Sequence, residues 1–186
     1  MTHQPEVQEP AETAPPSVAT TMDDLARMGP DALLRRYRQA ELPQALWPLD
    51  GPADGRLLAL TGPGRWGPVQ ALVRRIAASP WFPWRGKRFL AFDEAHGQGV
   101  NRIALGRTWQ VLHFETRIEP SAVDGAPCIV LDYDRPDNPG WIRMMRDELR
   151  PVGERLYAGP GIVELPRLAP RIILFFAVRV AGESPR

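Results

Sequence analysis

The stretch TWQVLHFETRI (residues 108–118) places side chains that could do chemistry at every other position. In an extended strand, successive side chains point to opposite faces, so His113, Glu115 and Arg117 would share one face with Trp109. A histidine beside a carboxylate can act as a general base near neutral pH, and an arginine can bind an anionic group through two hydrogen bonds. This pattern predicts a ligand site if the face lines a cavity. Arg117 would hold an anionic head, His113 and Glu115 would position it, and Trp109 would pack on the apolar body of the ligand.

The opposite face of the same stretch is mostly apolar and consists of Leu112, Phe114, Thr116 and Ile118. If these side chains fill the core, the polar face is exposed to solvent. Its acid, base and cation would then form cross-strand ion pairs instead of a binding site. The direction of these two faces therefore decides between the two interpretations.

A cluster of aromatic residues, WFPW (residues 81–84), precedes the basic segment RGKRF (residues 85–89). Aromatic and basic side chains together can bind nucleic acid. A net charge of +1, however, predicts no strong attraction of the protein to nucleic acid or to acidic membranes. We expect these aromatics to cap a sheet against a preceding helix or, with Trp84, to close an apolar ligand pocket. Lys87 is the only lysine among many arginines, which we interpret as compositional bias.

Three carboxylates lie close together in the loop from Asp132 to Asn138. Their spacing lacks the glycine and the glutamate of a calcium-binding EF-hand loop, and Asp and Asn are common in turns and helix caps. We predict no metal site there and expect Asp132 or Asp134 to pair with an arginine.

The single cysteine, Cys128, excludes an internal disulfide and a cysteine-based zinc site, and it fits the core of a strand.

The N-terminal part of the chain predicts a tail followed by helices. Residues 1–20 are rich in Pro, Glu and Thr and predict a disordered tail. Residues 21–48 predict a helical segment in which Thr21 caps a first helix and Gly29-Pro30 starts a second. We expect these helices to pack on the following domain; the alternative is that they bind a partner. Residues 50–182 predict one α+β domain.

Within that domain the hydrophobic pattern changes from helical to strand-like. An apolar run at 57–60 predicts a short strand, and residues 67–79 predict a helix that begins at Gly67-Pro68. Further strands are predicted near 87–93, 100–106, 108–119, 127–134 and 171–180, with one or two between 155 and 168. Residues 139–149 predict one inserted helix, with Asn138 as its cap and Ile142, Met145 and Leu149 as its apolar stripe. The strand at 171–180 is apolar on both faces, which predicts a covered, central strand.

Short connections favour antiparallel pairing. The predicted fold class is thus α+β, with N-terminal helices and a curved antiparallel sheet that closes into a small barrel. The interior of such a barrel either packs solid or holds one small ligand. The sequence shows no secretory signal and no apolar run long enough to span a bilayer, which predicts a cytoplasmic location and no membrane partner.

Several segments resemble a family of uncharacterised bacterial proteins. They are WRGKRF (84–89), GVNR (99–102), FETRIEPS (114–121), DGAPCIVLDYDRPDNP (124–139) and RDELR (146–150). The resemblance covers roughly residues 55–180 and implies kinship, with no activity to transfer. The strand order is also loosely similar to small lipocalin-like (calycin) barrels, by analogy alone.

These observations favour a protein that binds a small apolar or amphipathic molecule, without a cofactor or a metal. One alternative is a cofactor-independent cyclase or isomerase, with His113 and Glu115 as its acid–base groups. Another is a protein-interaction module that uses the N-terminal helices or tail. The sequence leaves the ligand and the oligomeric state open.

Overall fold

Eight antiparallel strands close into a barrel in the computed structural model, which describes residues 20–62, 71, 72, 75, 79 and 82–181. Each strand pairs with the next along the chain, and the last pairs with the first. The strands are β1 (Gly51–Leu60), β2 (Trp84–Ala91), β3 (His96–Leu105), β4 (Arg107–Pro120), β5 (Pro127–Asp132), β6 (Met145–Gly153), β7 (Leu156–Val163) and β8 (Arg171–Val180). The predicted closed antiparallel sheet is confirmed, but the described chain is mostly β rather than α+β.

The inserted helix predicted at 139–149 is wrong. Only one turn forms there, in which the backbone amides of Ile142 and Arg143 donate to the carbonyl oxygen of Pro139. The chain then enters β6, which pairs with β5 and β7. Both faces of β6 are covered, so polar residues such as Glu148 are buried on its outer face. The inner face, however, carries the polar residue Asp147 between Met145 and Leu149. This polar inner residue interrupts the alternation typical of a strand, and Ile142, Met145 and Leu149 matched a helical spacing by coincidence.

Two short helices precede the barrel, as predicted. They are α1 (Met22–Arg27) and α2 (Pro30–Arg38). The Thr21 side chain accepts a hydrogen bond from the backbone amide of Asp24, and the Asp24 carboxylate accepts one from the Thr21 amide, so the predicted cap is confirmed. Helix α1 packs on β1 and β8, and α2 packs on β6 and β7. Leu25 and Leu33 are buried in this contact with Phe175, so the helices pack on the barrel.

The middle of β8 is covered on both sides, as its sequence predicted. Phe175 and Ala177 lie under the helices, while Phe176 and Val178 belong to the interior core.

The predicted tail, residues 1–20, lies outside the described residues except for Thr20, as does most of the helix predicted at 67–79. No helix in the described ranges is both long and apolar enough to cross a membrane.

Apolar side chains fill the barrel at one end. A short 3-10 helix, Trp47–Leu49, lies at this end, and its Leu49 and the preceding residue Leu46 belong to the interior core. Leu46 is also tied to the β2–β3 connection, where its backbone amide donates to the carbonyl oxygen of Glu94 at 2.8 Å. The core continues through Phe89 and Phe114, whose rings meet edge to face with centroids 5.5 Å apart. The interior at the other end remains open.

Candidate functional site

A cavity of about 230 Å³ occupies the other end of the barrel interior. Most of its wall is apolar. Four polar side chains from different strands or their ends, Lys87, Asn101, Tyr133 and Asp147, lie together on one part of this wall. The apolar lining residues are Leu57, Phe82, Trp84, Leu112, Ile142, Met145, Leu174 and Phe176.

A bulge in β2 turns both Trp84 and Lys87 towards the interior. Residues three apart in a regular strand would face opposite sides, but the pairing of β2 with β3 shifts by one residue between Trp84 and Gly86. Gly86 has φ +116°, and a Cβ atom there would lie 2.1 Å from the carbonyl oxygen of Ala53. Only glycine fits this position. The bulge therefore fixes how the lysine enters the barrel.

Lys87 is the centre of a buried hydrogen-bond network. Its ammonium donates to Asn101 Oδ1 at 3.0 Å, to Asp147 Oδ2 at 2.9 Å and to the Tyr133 hydroxyl. Tyr133 in turn donates to Asp147 Oδ2 at 3.0 Å, and Trp84 Nε1 donates to Asn101 Oδ1 at 3.0 Å. The side chain of Lys87 is 2% exposed. All three of its N–H groups thus have acceptors, as a buried charge requires.

Burial shifts the pKa values of Lys87 and Tyr133 in opposite directions. It lowers the pKa of Lys87 below the ordinary value for lysine, although the carboxylate of Asp147 opposes the change. It also raises the pKa of Tyr133 well above the ordinary value, and the charge of Asp147 adds to this effect. The neutral amine of Lys87 is accordingly easier to reach than in a solvated lysine, while the Tyr133 hydroxyl keeps its proton.

Aromatic rings surround the ammonium group. Lys87 Nζ lies 5.0 Å from the centroid of Phe114, 5.1 Å from that of Phe176 and 5.7 Å from that of Trp84. The faces of such rings attract a cation. These contacts hold the amine at a fixed place on the cavity wall.

The predicted polar stripe lies on the outside of the barrel. A second bulge, at Leu112 with φ +56°, interrupts the pairing of β4 with β3. It leaves Trp109 opposite Ile103 on the interior-facing side and His113 opposite Val100 on the outer side. The alternation assumed from 108 to 118 is therefore broken at Leu112, which itself lines the cavity.

The outward residues of the stripe form ion pairs. Arg117 donates to Glu115 at 3.0 Å, to Glu119 at 2.8 Å and to Asp132 at 2.7 Å. His113 Nδ1 lies 3.4 Å from the carboxylate of Asp137. The interior orientation that the ligand-site hypothesis required of His113, Glu115 and Arg117 is thus not the one they have, and the expected surface ion pairs are present.

The two aromatic residues proposed as ligand contacts differ in position. Trp84 lines the cavity. Trp109 is 44% exposed and stacks on the guanidinium of Arg107, 3.7 Å from its ring centroid, and it is not part of the cavity lining. Phe82 also lines the cavity, whereas Trp81 lies outside the described residues. The positions of Phe82 and Trp84 therefore favour the interpretation that the aromatic cluster closes a pocket over the one in which it caps the sheet against a helix.

The acidic loop has a structural role, as predicted. Asp132 pairs with Arg117, and Asp134 pairs with Arg143 at 2.7 Å. Asn138 caps no helix; its side-chain amide donates to the backbone oxygens of His113 and Tyr133 and so holds the loop on β4. No group of three potential ligands among His, Cys, Asp and Glu is arranged for a metal within the described ranges.

A second buried polar cluster joins α2 to the barrel. Glu148 accepts hydrogen bonds from the Tyr37 hydroxyl at 2.7 Å, from Ser121 and from the backbone amide of Ala122. Arg150 binds Asp124 through two nitrogens, at 2.8 and 2.6 Å. Beside this cluster, burial raises the pKa of Cys128 to about 12, so its thiol is unreactive. These groups pair with each other and border none of the cavity wall, which indicates a structural role.

The residues that line the cavity were largely missed from the sequence. Asn101, Tyr133 and Asp147 belong to unrelated segments, and only barrel closure brings them together. One signal was available: Lys87 is the only lysine in a chain that otherwise uses arginine. Arginine cannot lose its proton in proteins, whereas a buried lysine can. That lone exception pointed to a position where the two side chains are not interchangeable.

Comparisons with models of protein families, with curated protein sequences and with solved structures give no significant match to this chain. The resemblance of its segments to a family of uncharacterised bacterial proteins therefore stays a prediction.

Proposed function

We propose that this protein binds one small, largely apolar molecule inside the barrel. The observation that supports the proposal is the cavity of about 230 Å³, which combines apolar walls with a single polar cluster. Such a combination is typical of ligand sites, in which a few polar groups orient a mostly apolar ligand. Eight-stranded up-and-down barrels such as lipocalins hold one small ligand in the same place, which supports the proposal by analogy.

The size of the cavity limits the ligand. An apolar cavity of about 150 Å³ in another protein accommodates benzene. By that scale, a space of about 230 Å³ fits one ring with a short substituent, or an aliphatic molecule of about ten non-hydrogen atoms. The polar cluster at Lys87 and Tyr133 then faces one oxygen-bearing group of the ligand. The ligand-binding residues proposed from this geometry are Trp84, Lys87, Asn101, Tyr133 and Asp147.

Binding can be tested with benzyl alcohol as the probe. We expect calorimetry to show saturable binding at one site per chain. The variant Leu174→Trp should abolish it, because Leu174 lines the cavity and a larger side chain fills the space. The matched control is Ile173→Trp, because Ile173 is the preceding residue of β8 and is exposed. Met145→Phe fills the same cavity from another strand and repeats the test if Leu174→Trp fails to fold.

Two results would contradict the proposal. One is an absence of saturable binding for benzyl alcohol and for the similarly sized cyclohexanol and toluene. The other is binding that the folded Leu174→Trp and Met145→Phe variants retain. In either case the cavity would be a packing defect of the barrel and not a binding site.

A second candidate function is an enzyme built on the same cavity. The observation that favours it is an amine, a phenol and a carboxylate within hydrogen-bond distance of one another at the cavity wall. Tyr133 and Asp147 would then be the acid–base groups, in place of His113 and Glu115, which face outward. For such an enzyme, we expect Asp147→Asn to lower turnover by about 10²-fold with substrate affinity retained. A binding protein would show a change in affinity alone.

A further inference from the structure

We infer that Lys87 forms a Schiff base with a small aldehyde or ketone held in the barrel cavity. The inference rests on the proposed function, because the carbonyl compound must first occupy the cavity. It deepens that function by naming the ligand class and the atom of the protein that reacts. Its basis is one juxtaposition: a lysine amine, a carboxylate and a phenol hydroxyl meet beside an apolar space.

Lys87 lies where the buried charge pair meets the cavity. Its side chain is buried and paired with Asp147, and the residue also lines the cavity wall. Trp84 and Phe176 line that cavity and also lie over the ammonium. A ligand in the cavity therefore sits against the same rings as the amine, and the amine is in reach of it.

Asp147 lies where it can accept and donate the protons that the reaction transfers. Its Oδ2 atom lies 2.9 Å from Lys87 Nζ, so one proton can move from the ammonium to the carboxylate and leave a neutral amine. Burial favours this transfer, because it lowers the pKa of Lys87. The Tyr133 hydroxyl stays protonated. Once Asp147 has taken the proton, the single O–H of Tyr133 can turn from Asp147 Oδ2 and donate to the oxygen of the carbonyl group.

The reaction balances without any further reactant. The lone pair of Nζ attacks the carbonyl carbon, and the C=O π electrons move to the oxygen, which takes the proton from Asp147. Asp147 then removes one N–H proton and returns it to the hydroxyl group, which leaves as water while the C=N bond forms. The net change is ammonium plus carbonyl to protonated imine plus water. The charge of the buried site is unchanged, because the protonated imine remains paired with the Asp147 carboxylate.

Reductive trapping tests the inference on the full chain. Benzaldehyde is the probe, and sodium borohydride reduces any imine to a stable amine. We expect peptide mapping to find an adduct on Lys87, equal in mass to the aldehyde less one oxygen, and to distinguish it from any adduct on the terminal amine. The matched control is the variant Arg88→Lys. Arg88 is exposed, so this variant presents a solvated amine beside the buried one within the same folded molecule.

The outcomes separate the inference from the proposed function. Trapping at Lys87 that exceeds trapping at the introduced neighbouring amine by at least about tenfold supports the inference, as does a decrease of about 10²-fold in trapping rate for Asp147→Asn. Calorimetry with benzyl alcohol runs in parallel. If the alcohol binds but Lys87 stays unlabelled, or is labelled no faster than position 88, the inference is overturned and the binding function stands. If neither compound binds, both are overturned.

Discussion

Lys87 and Asp147 form a charge pair in a place where each charge alone is costly. A buried ion pair adds little net stability, because desolvation of the two ions offsets their attraction, and an apolar pair of similar volume is often as stable. Asn101, Tyr133 and three further aromatic rings nevertheless surround this pair. At the scale of single residues, these contacts around the charge pair are better explained by chemistry at the cavity than by a gain in stability.

Removal of one partner of this pair should destabilise the protein strongly. Lys87→Met leaves the carboxylate of Asp147 buried without its cation, and we expect a loss of about 3 kcal/mol in the free energy of unfolding. The double variant Lys87→Met with Asp147→Asn removes both charges and should recover at least about 1 kcal/mol of this loss. Urea unfolding at neutral pH, followed by tryptophan fluorescence, measures both values.

The control for this experiment lies one residue away. Arg88→Met removes an exposed cation from the same strand, so the free energy of unfolding should change by no more than about 0.5 kcal/mol. A single variant Lys87→Met that is as stable as the unmodified chain would show that Asp147 is solvated or protonated in the folded protein. A double variant less stable than Lys87→Met would show the same.

Two bulges decide which side chains reach the interior. The bulge before Gly86 brings Trp84 and Lys87 to one face of β2, and the bulge at Leu112 turns His113 to the outside of β4. Both lie near the polar cluster: Leu112 accepts a hydrogen bond from Asn101 through its backbone oxygen. At the scale of elements, the site depends on these interruptions of regular pairing, which re-aim side chains beside functional sites.

A substitution at Gly86 should therefore remove the site as well as stability. In Gly86→Ala the new Cβ atom meets backbone atoms of β1 at a φ that L-residues rarely adopt. We expect a cost of about 3 kcal/mol from strain and the clash, together with loss of benzyl alcohol binding. Thermal unfolding and calorimetry measure the two effects.

Gly106 provides the matched control for this prediction. It also has a positive φ, +72°, but no atom lies within 4 Å of a Cβ atom built there. Gly106→Ala should cost about 1 kcal/mol through backbone strain alone and leave probe binding unchanged. Equal effects of the two substitutions on stability and on binding would contradict the role given to the β2 bulge.

The sequence predicted the elements better than their details. Period-two alternation correctly indicated most strands, because one face of each is apolar and covered. The bulge at Leu112 left no such trace, since its neighbours keep an apparent alternation while the chain exchanges faces. Strand β6 was misread because one of its inner residues, Asp147, is polar and interrupts the alternation. The polar cluster could not be predicted from the sequence for another reason, because its four residues meet only when the barrel closes.

The three tyrosines of the molecule are buried at three different places. Tyr133 lies in the cavity wall, Tyr157 in the interior core, and Tyr37 between α2 and the barrel. Burial raises the pKa of all three above the ordinary value of 10.0. The ionisation of tyrosine therefore reports at once on the cavity, the barrel core and the docking of the N-terminal helices.

Alkaline titration should consequently show no tyrosine ionisation before the protein unfolds. The folded state keeps phenol protons that the unfolded chain loses above pH 10.0. The stabilisation from the three tyrosines is fully present below that pH and is lost as the pH rises, with a slope that approaches about 4 kcal/mol per pH unit. Lys87 acts in the opposite direction, since its pKa is lowered, but its contribution ends above pH 10.5, where the unfolded chain is neutral too.

Tyrosinate absorbance, followed together with circular dichroism, measures this coupling. We expect the absorbance to rise in one cooperative step that coincides with the loss of the barrel signal. The variants Tyr37→Phe, Tyr133→Phe and Tyr157→Phe should each reduce the amplitude of that step by about a third without giving a separate earlier transition. A tyrosine that titrates near pH 10 while the barrel signal persists would be solvated in the folded protein, and the variant that removes this early transition would identify the layer open to water.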